Sequence, residues 1–269
     1  MKRSGTAASS LLAAGAVLVA ANGVACSNTA AEGTVGVYRA DAVVLSMVVR
    51  DFKRYQARDA TTNPAFHNPQ VSNSELDVVA DVLGGDGKPV YKTPTNSLPT
   101  FGKDFFDQWF HDVPGTNVAV TVPLSLALNP EGLVEYDSRK TGTLDLATGT
   151  ARRLFFPIDD GTPYLTAFGQ EGDMHNFAFT GELHARFIYP GNGVFRFRSD
   201  DDLYVFIDGK LVPAASAPGQ HVALERMVDA QVLGLTEGRD YQLDVFYAER
   251  AGAAGDFMMA TTVPLRSAP

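Results

Sequence analysis

The chain has 269 residues, of which 45% are apolar, including 17 Phe and 9 Tyr; this composition is typical of a folded globular protein and excludes global disorder. Its net charge of −9 excludes nucleic acid as the expected partner, because a polyanion requires a basic surface. A single cysteine, Cys26, excludes an internal disulfide, a cysteine-based zinc site and a Cys-x-x-Cys redox pair.

Residues 1–25 have the pattern of a secretory signal peptide, with a basic start, an apolar run over 11–20 and small residues at 23–25. The cysteine that follows completes the sequence Gly-Val-Ala-Cys, which resembles a bacterial lipobox and predicts a lipid on Cys26. Gly23 stands where a lipobox has leucine, so ordinary cleavage before Cys26 is the alternative. We expect a secreted or outer-surface protein that contacts a membrane only through such a lipid.

The small and polar residues 26–42 predict a flexible tether, and the ordered domain is expected over 43–265. Beta-branched and apolar residues at 43–49 predict the first strand, and the Arg-, Asp- and Asn-rich stretch up to Pro69 predicts a long loop. One short helix is expected within 103–111. Further strands are predicted over 117–128, 133–138 and 152–158.

The second half of the chain has the clearest strand pattern. Apolar residues occupy odd positions over 177–189, which indicates a strand with one buried face. The turn sequence Pro-Gly-Asn-Gly then predicts a hairpin with 194–198, and Asp-Gly predicts a second hairpin that joins 203–207 to 210–212. Two more strands are expected, over 241–248 and 257–263. The predicted fold class is all-β, an antiparallel β-sandwich or flattened barrel with few short helices.

The segment FRFRSDDDLYVFIDGKLV at 195–212 resembles the signature of PA14-type domains and of their fibro-slime subgroup, found in secreted bacterial proteins. The motifs NFAFTGELH at 176–184, LGLTEG at 233–238 and DVFYAER at 244–250 are similar to the same subgroup in order and spacing. With weaker matches upstream, the resemblance covers roughly residues 44–263. It implies a PA14-like β-sandwich.

The resemblance also implies a calcium site. In sugar-binding PA14 domains, an Asp-Asp pair joined by a cis peptide coordinates calcium, which binds sugar hydroxyls; the matching pair here is Asp200-Asp201. Calcium takes six to eight oxygen ligands, so two carboxylates require further donors. The expected donors are backbone carbonyls near Asp202 and in the 213–221 loop, with Asn192 or Asp256 as side-chain partners.

Several other polar residues are candidates for contact with a ligand. Asp202 and His221 are candidate ligand-binding residues, although the loop before His221 otherwise departs from the family pattern. Glu249 and Arg250 end a predicted strand, where a solvent-facing or partly buried ion pair is expected, and where a sugar contact is the alternative. His184 is expected to be structural.

No hydrolase or phosphate-loop motif occurs in the sequence, so an enzyme is not expected. The leading hypothesis is a secreted or surface-anchored module that binds a glycan or extracellular matrix component with the assistance of calcium. The alternative is a structural or adhesion protein of the matrix or cell surface that binds a protein partner, with a purely architectural Asp-rich loop.

Overall fold

The computed structural model describes residues 42–68, 77–92, 100–146, 151–160, 162–164, 168–216, 223–250 and 254–268. The predicted signal peptide, the lipid site Cys26, residues 26–41 of the predicted tether and the candidate ligand residue His221 lie outside these ranges. The described residues all fall within one compact unit. None of the helices among them is long and apolar enough to cross a membrane.

The fold of the described residues is antiparallel β, as predicted. Eleven strands form one sheet in the order β10-β7-β12-β3-β2-β1-β6-β11-β8-β9, with β13 also paired to β6, while β4 and β5 form a separate ladder. The strands are β1 (Ala42–Phe52), β2 (Asn117–Leu128), β3 (Val134–Asp137), β4 (Thr143–Asp145), β5 (Arg152–Leu154), β6 (Phe179–Ile188), β7 (Val194–Ser199), β8 (Asp202–Ile207), β9 (Lys210–Leu211), β10 (Leu224–Asp229), β11 (Asp240–Glu249), β12 (Phe257–Thr261) and β13 (Arg266–Ser267). The short helices are α1 (Lys103–Phe106), α2 (Ser138–Thr141) and two 3₁₀ turns, Pro213–Ala215 and Ala230–Leu233.

The large sheet curls, so that one half, with β10, β7, β12 and β3, faces the other half, with β1, β6, β11, β8 and β9. Aromatic side chains from the two halves meet in the main core: Phe187 contacts Phe195 at 5.4 Å between ring centroids, and Tyr247 contacts Phe257 at 5.6 Å. All four rings are buried. Burial of this apolar surface drives the two halves together, and it confirms the predicted sandwich or flattened barrel.

The first predicted hairpin, between 177–189 and 194–198, is wrong. Both edges of β6 are already occupied, by β1 and β13 on one side and β11 on the other, so β7 has no edge to pair with. It pairs instead with β10 and β12 in the opposite half. Gly191 and Gly193, with φ of 87° and 129°, make the turn that carries the chain from one half to the other.

The second predicted hairpin is confirmed as β8 and β9, in which Ile207 pairs with Lys210. Asp208 and Gly209 have φ of 52° and 73°, the two positive values that a tight two-residue hairpin turn requires. All six residues of β8 are buried, because both of its faces are covered. The period-two pattern of a half-exposed strand is therefore absent there.

A second aromatic core covers the outer face of β8 and β11. The predicted helix is found as α1, shorter than the range in which it was expected, and the turn after it brings Trp109 onto this face. Phe52 stacks on Phe66 at 4.1 Å, and Phe106 lies 4.8 Å from Trp109. The described parts of the loop between β1 and β2 thus belong to the folded core, where they cover the strands that lead to the Asp-rich turn.

Candidate functional site

The Asp-rich turn lies at one end of the sandwich, where the chain crosses between the two halves twice. Asp200 and Asp201 form the first crossing, from β7 to β8, and Arg250 and Asp256 lie in the second, from β11 to β12. The crossings are tied together, because Asp201 Oδ2 accepts the Arg250 N–H at 2.8 Å and Asp200 Oδ1 accepts the Asp256 N–H at 2.7 Å. The structure therefore brings five of the predicted site residues into one place.

Arg250 is buried in this end of the sandwich, with 3% of its surface exposed. Its Nε donates to Asp202 Oδ2, and its guanidinium lies 5.0 Å from the centroid of the Trp109 ring. The Tyr204 hydroxyl donates to the other oxygen of Asp202 at 3.0 Å. Burial opposes the charge of Arg250, but the carboxylates of Asp202 and Asp201 raise its pKa above the usual value. The expectation that this residue is solvent-facing or partly buried is wrong, because it is almost fully buried.

Glu249 is fully buried as well, and it faces the other way. Its Oε2 accepts the Tyr247 hydroxyl at 2.6 Å in the main core, whereas Arg250 lies over Trp109 in the second core. Consecutive strand residues point to opposite faces of a sheet, so the ion pair expected for Glu249 and Arg250 does not form across the strand. Glu249 Oε1 is buried without a hydrogen-bond partner within the described residues.

Negative charge at this end exceeds the positive charge that faces it. Burial, followed by the charges of Asp200 and Asp201, raises the pKa of Glu249 well above its ordinary value. Burial likewise raises the pKa of Asp201, and it raises that of Asp200 to about 6, with the charge of Asp256 adding to the effect. Of the carboxylates at this end of the sandwich, Asp202 and Asp201 lie beside the guanidinium of Arg250.

The oxygen chemistry and excess negative charge of the turn fit a hard cation, but the geometry differs in part from the expectation. Within the described ranges, no three carboxylate, histidine or cysteine side chains form a group that could hold a metal ion. The Asp200-Asp201 peptide is trans, not cis as the resemblance implies. Asn192 lies in the turn before β7, at the far end of that strand from Asp200, so it is not a donor at this site.

A pocket of about 340 Å³ opens beside Asp200, and three arginines that the sequence reading missed contribute to its wall. Arg139 comes from α2, and Arg152 and Arg153 come from β5. A signal was present in the sequence, because two consecutive arginines are conspicuous in a chain of net charge −9. Their approach to Asp200 depends on contacts between segments far apart in the chain.

Internal partners hold these arginines in place. Arg139 pairs with Asp256 at 2.5 Å, and Arg152 Nε donates to Asp145 Oδ2 at 2.7 Å. Asp256 also accepts from Arg198 Nε at 3.0 Å, so this expected calcium ligand is engaged by two guanidiniums. Positioned donors of this kind suit the recognition of a polar ligand.

A second charged cluster lies away from the turn, on β6 and β11, and it accounts for His184. Its Nδ1 and Nε2 lie 2.6 Å from Asp244 and Glu182 respectively, and Glu182 also contacts Arg50 and Lys88. The hydrogen bonds that His184 donates to Asp244 and then to Glu182 raise its pKa to about 9. The cluster joins the loop that carries Lys88 to the sheet, in agreement with a structural His184.

We expect His184 to make stability depend on pH in the alkaline range. Its pKa is about 9 in the folded chain against 6.5 as the ordinary value, so its contribution is fully present below about pH 6.5 and is lost as pH rises through about 9. Urea unfolding of wild type and His184→Gln between pH 6 and 10 measures this. The difference in unfolding free energy should shrink as pH rises; a difference independent of pH would contradict the assignment.

A larger cavity of about 620 Å³ lies between α1 and the loop that carries Lys88. The charged groups around it are paired with each other or with the sheet: His111 with Asp86, Lys103 with Asp107, and Lys88 with Glu182. This cavity therefore offers fewer uncommitted polar groups than the pocket beside Asp200.

The sequence matches no protein-family model. It is 31% identical to protein psiR of Dictyostelium discoideum over 207 residues, covering 76% of this chain and 20% of psiR, and 35% identical to protein psiD of the same organism over 182 residues, covering 64% and 33%. The chain thus spans a fifth to a third of the length of these relatives.

Similar solved structures include the PA14 domain of the antifreeze protein MpAFP, with a TM-score of 0.26 and 13% identity over 39% of this chain and 57% of that one. Another is the epithelial adhesin 9 A domain of Candida glabrata in complex with Galβ1-3GlcNAc, with a TM-score of 0.33 and 14% identity over 82% of each chain. These scores are low, so the fold class rests on the strand pairing described above.

Proposed function

We propose that this chain is a non-enzymatic binding module that recognises carbohydrate in the pocket beside Asp200, outside the cell that secretes it. The pocket carries the proposal, because it places the carboxylate of Asp200 opposite arginines that are fixed by internal partners. Sugar hydroxyls both donate and accept hydrogen bonds, so they suit a wall that supplies guanidinium donors and a carboxylate acceptor.

The experiment is glycan-array binding by wild type and Asp200→Asn. The substitution removes the charge and one acceptor but keeps the oxygen that receives the Asp256 N–H, so the turn should stay folded. The matched control is Asp81→Asn, since Asp81 is exposed and does not line the pocket. We expect the glycans bound by wild type to bind Asp200→Asn at least about tenfold more weakly and the control unchanged. Equal binding by all three, or no binding, would refute the proposal.

Calcium at Asp200 and Asp201 is part of this proposal. The support is chemical: hard oxygen ligands suit calcium, and an added cation would stabilise the ionised forms of Asp200, Asp201 and Glu249, whose pKa values are raised by burial and then by neighbouring negative charge. Calcium held there would fix the turn that borders the pocket.

Calcium should raise the melting temperature of wild type, because an ion that binds only the folded state stabilises it by mass action, by about 2.7 kcal/mol at one hundred times its Kd. Asp200→Asn should lose the increment and Asp81→Asn should keep it. The increment should also grow as pH rises through about 6, where Asp200 loses its proton. Differential scanning calorimetry with calcium or chelator measures all three, and an equal response in wild type and Asp200→Asn would rule out calcium at this turn.

A protein-binding adhesion module is the second candidate, favoured by one observation. Leu224, Met227 and Val232 are exposed on β10, the edge strand of the sheet, and on the 3₁₀ turn after it; 76% of the Val232 surface is exposed. In this alternative, the Asp-rich turn is purely architectural and ties the two crossings together. The array experiment separates the candidates, because a protein-binding module would bind no glycan.

A further inference from the structure

We infer that the carbohydrate taken by the pocket is acidic, and that Arg153 pairs with its carboxylate. The inference rests on the proposed function and names the class of sugar: a glycan that contains a uronic acid or a similar carboxylate-bearing unit. It follows from the way in which the three arginines of the pocket are partnered.

Arg153 differs from the two other arginines. Arg139 pairs with Asp256, and Arg152 pairs with Asp145, so each guanidinium already faces a carboxylate. Arg153 is exposed, and its Nη1 donates to the carbonyl oxygen of Gly142 at 2.8 Å. Within the part of the chain that the structure describes, it forms no ion pair. Its guanidinium is therefore held at one nitrogen in an exposed residue that lines the pocket.

A guanidinium held in this way suits a carboxylate better than a neutral sugar. Its planar fork of N–H donors matches the two oxygens of a carboxylate, and hydrogen bonds between opposite charges are stronger than those between neutral groups. With a net charge of −9, the chain as a whole repels anions, yet three of its arginines line one pocket. This local concentration of positive charge favours an anionic ligand there.

Asp200 sets the orientation of such a ligand. Its carboxylate is on the same pocket and can only accept hydrogen bonds, so the acidic group of the sugar pairs with Arg153, which donates them. A hydroxyl of the same sugar can then donate to Asp200. The two residues together select a unit that carries both a carboxylate and a hydroxyl.

The test is isothermal titration calorimetry of the chain without its predicted signal peptide, with two matched probes. One is an oligogalacturonide, and the other is the same oligosaccharide with its carboxylates reduced to hydroxymethyl groups. The variants are Arg153→Gln, Asp200→Asn and, as a matched control, Arg58→Gln, which is exposed and does not line the pocket. Circular dichroism confirms that each variant is folded.

We expect wild type and Arg58→Gln to bind the acidic probe at least about tenfold more tightly than the reduced one, and Arg153→Gln to lose that preference. Asp200→Asn should weaken both probes. Equal binding of both probes by wild type, or an unchanged preference in Arg153→Gln, would overturn the inference while leaving carbohydrate recognition intact. Failure of wild type to bind either probe would overturn the inference, and an array on which no glycan binds would remove the proposed function with it.

Discussion

Arg250→Met should lower the free energy of unfolding by about 3 to 5 kcal/mol, the usual cost of removing one partner of a buried ion pair. Methionine fills much of the space of the arginine but leaves the carboxylates of Asp202 and Asp201 buried without the charge that faces them. Urea unfolding followed by circular dichroism measures the change. We expect a folded chain with a much lower midpoint.

A double-mutant cycle with Asp202→Asn identifies the cause. Once Asp202 is neutral, removal of the guanidinium leaves one buried charge fewer, so Arg250→Met should cost clearly less in that background. Asp202→Asn keeps an oxygen for the Tyr204 hydroxyl, which donates to Oδ1 in the native turn. A strictly additive double variant would show that the arginine acts through packing on Trp109 and not through the pair.

Trp109→Ala should destabilise the chain by a similar amount, about 3 to 5 kcal/mol, because it removes the largest side chain of the second core. The ring contacts Phe106 at 4.8 Å and Phe66 at 5.6 Å, and it lies beneath the guanidinium of Arg250. Its removal would therefore leave a cavity below the ion pair between Arg250 and Asp202. Urea unfolding by circular dichroism gives the value.

Trp109→Phe is the matched control for this prediction. It keeps an aromatic ring and removes the indole N–H, which has no hydrogen-bond partner among the described residues, so its cost should be less than half that of alanine. Equal losses for alanine and phenylalanine would mean that the position is sensitive to any change and that the cavity is not the cause.

Much of the fold was predictable because its signals are local. The alternation over 177–189 predicts the strand β6, and Asp208-Gly209 supplies the two positive φ values of the second hairpin. The expected single buried face is wrong for residues 179–183, which are all buried, and alternation of burial begins only after them. The run of adjacent carboxylates marks the turn between β7 and β8 as the region of interest before any contact is known.

The errors come from long-range pairing. A turn sequence shows that the chain reverses but not which strand occupies the neighbouring edge, which is why the predicted hairpin of β6 with β7 is wrong. The burial of Glu249 and Arg250 depends on two separate cores, one on each face of β11. The second of these is built by the loop before β2, whose composition is that of a surface loop.

The arginines of the pocket were missed for the same reason. Arg139 and Arg153 lie some 50 to 60 positions before Asp200 in the chain, and short local elements, α2 and β5, hold them. Nothing in their own segment indicates a pocket. They become a candidate site only in the folded chain, where they line one pocket with Asp200. There Asp256 pairs with Arg139, and Asp145 pairs with Arg152.

The most direct test of carbohydrate recognition beside Asp200 is hydrogen–deuterium exchange of the whole chain with and without the glycan that binds best on the array. Binding in the pocket should slow exchange in the peptides that contain α2, β5, the turn at Asp200 and the residues around Asp256, and leave the 3₁₀ turn Ala230–Leu233 and the loop that carries Lys88 unchanged. Protection at that 3₁₀ turn or in that loop, with none at the Asp200 turn, would contradict it.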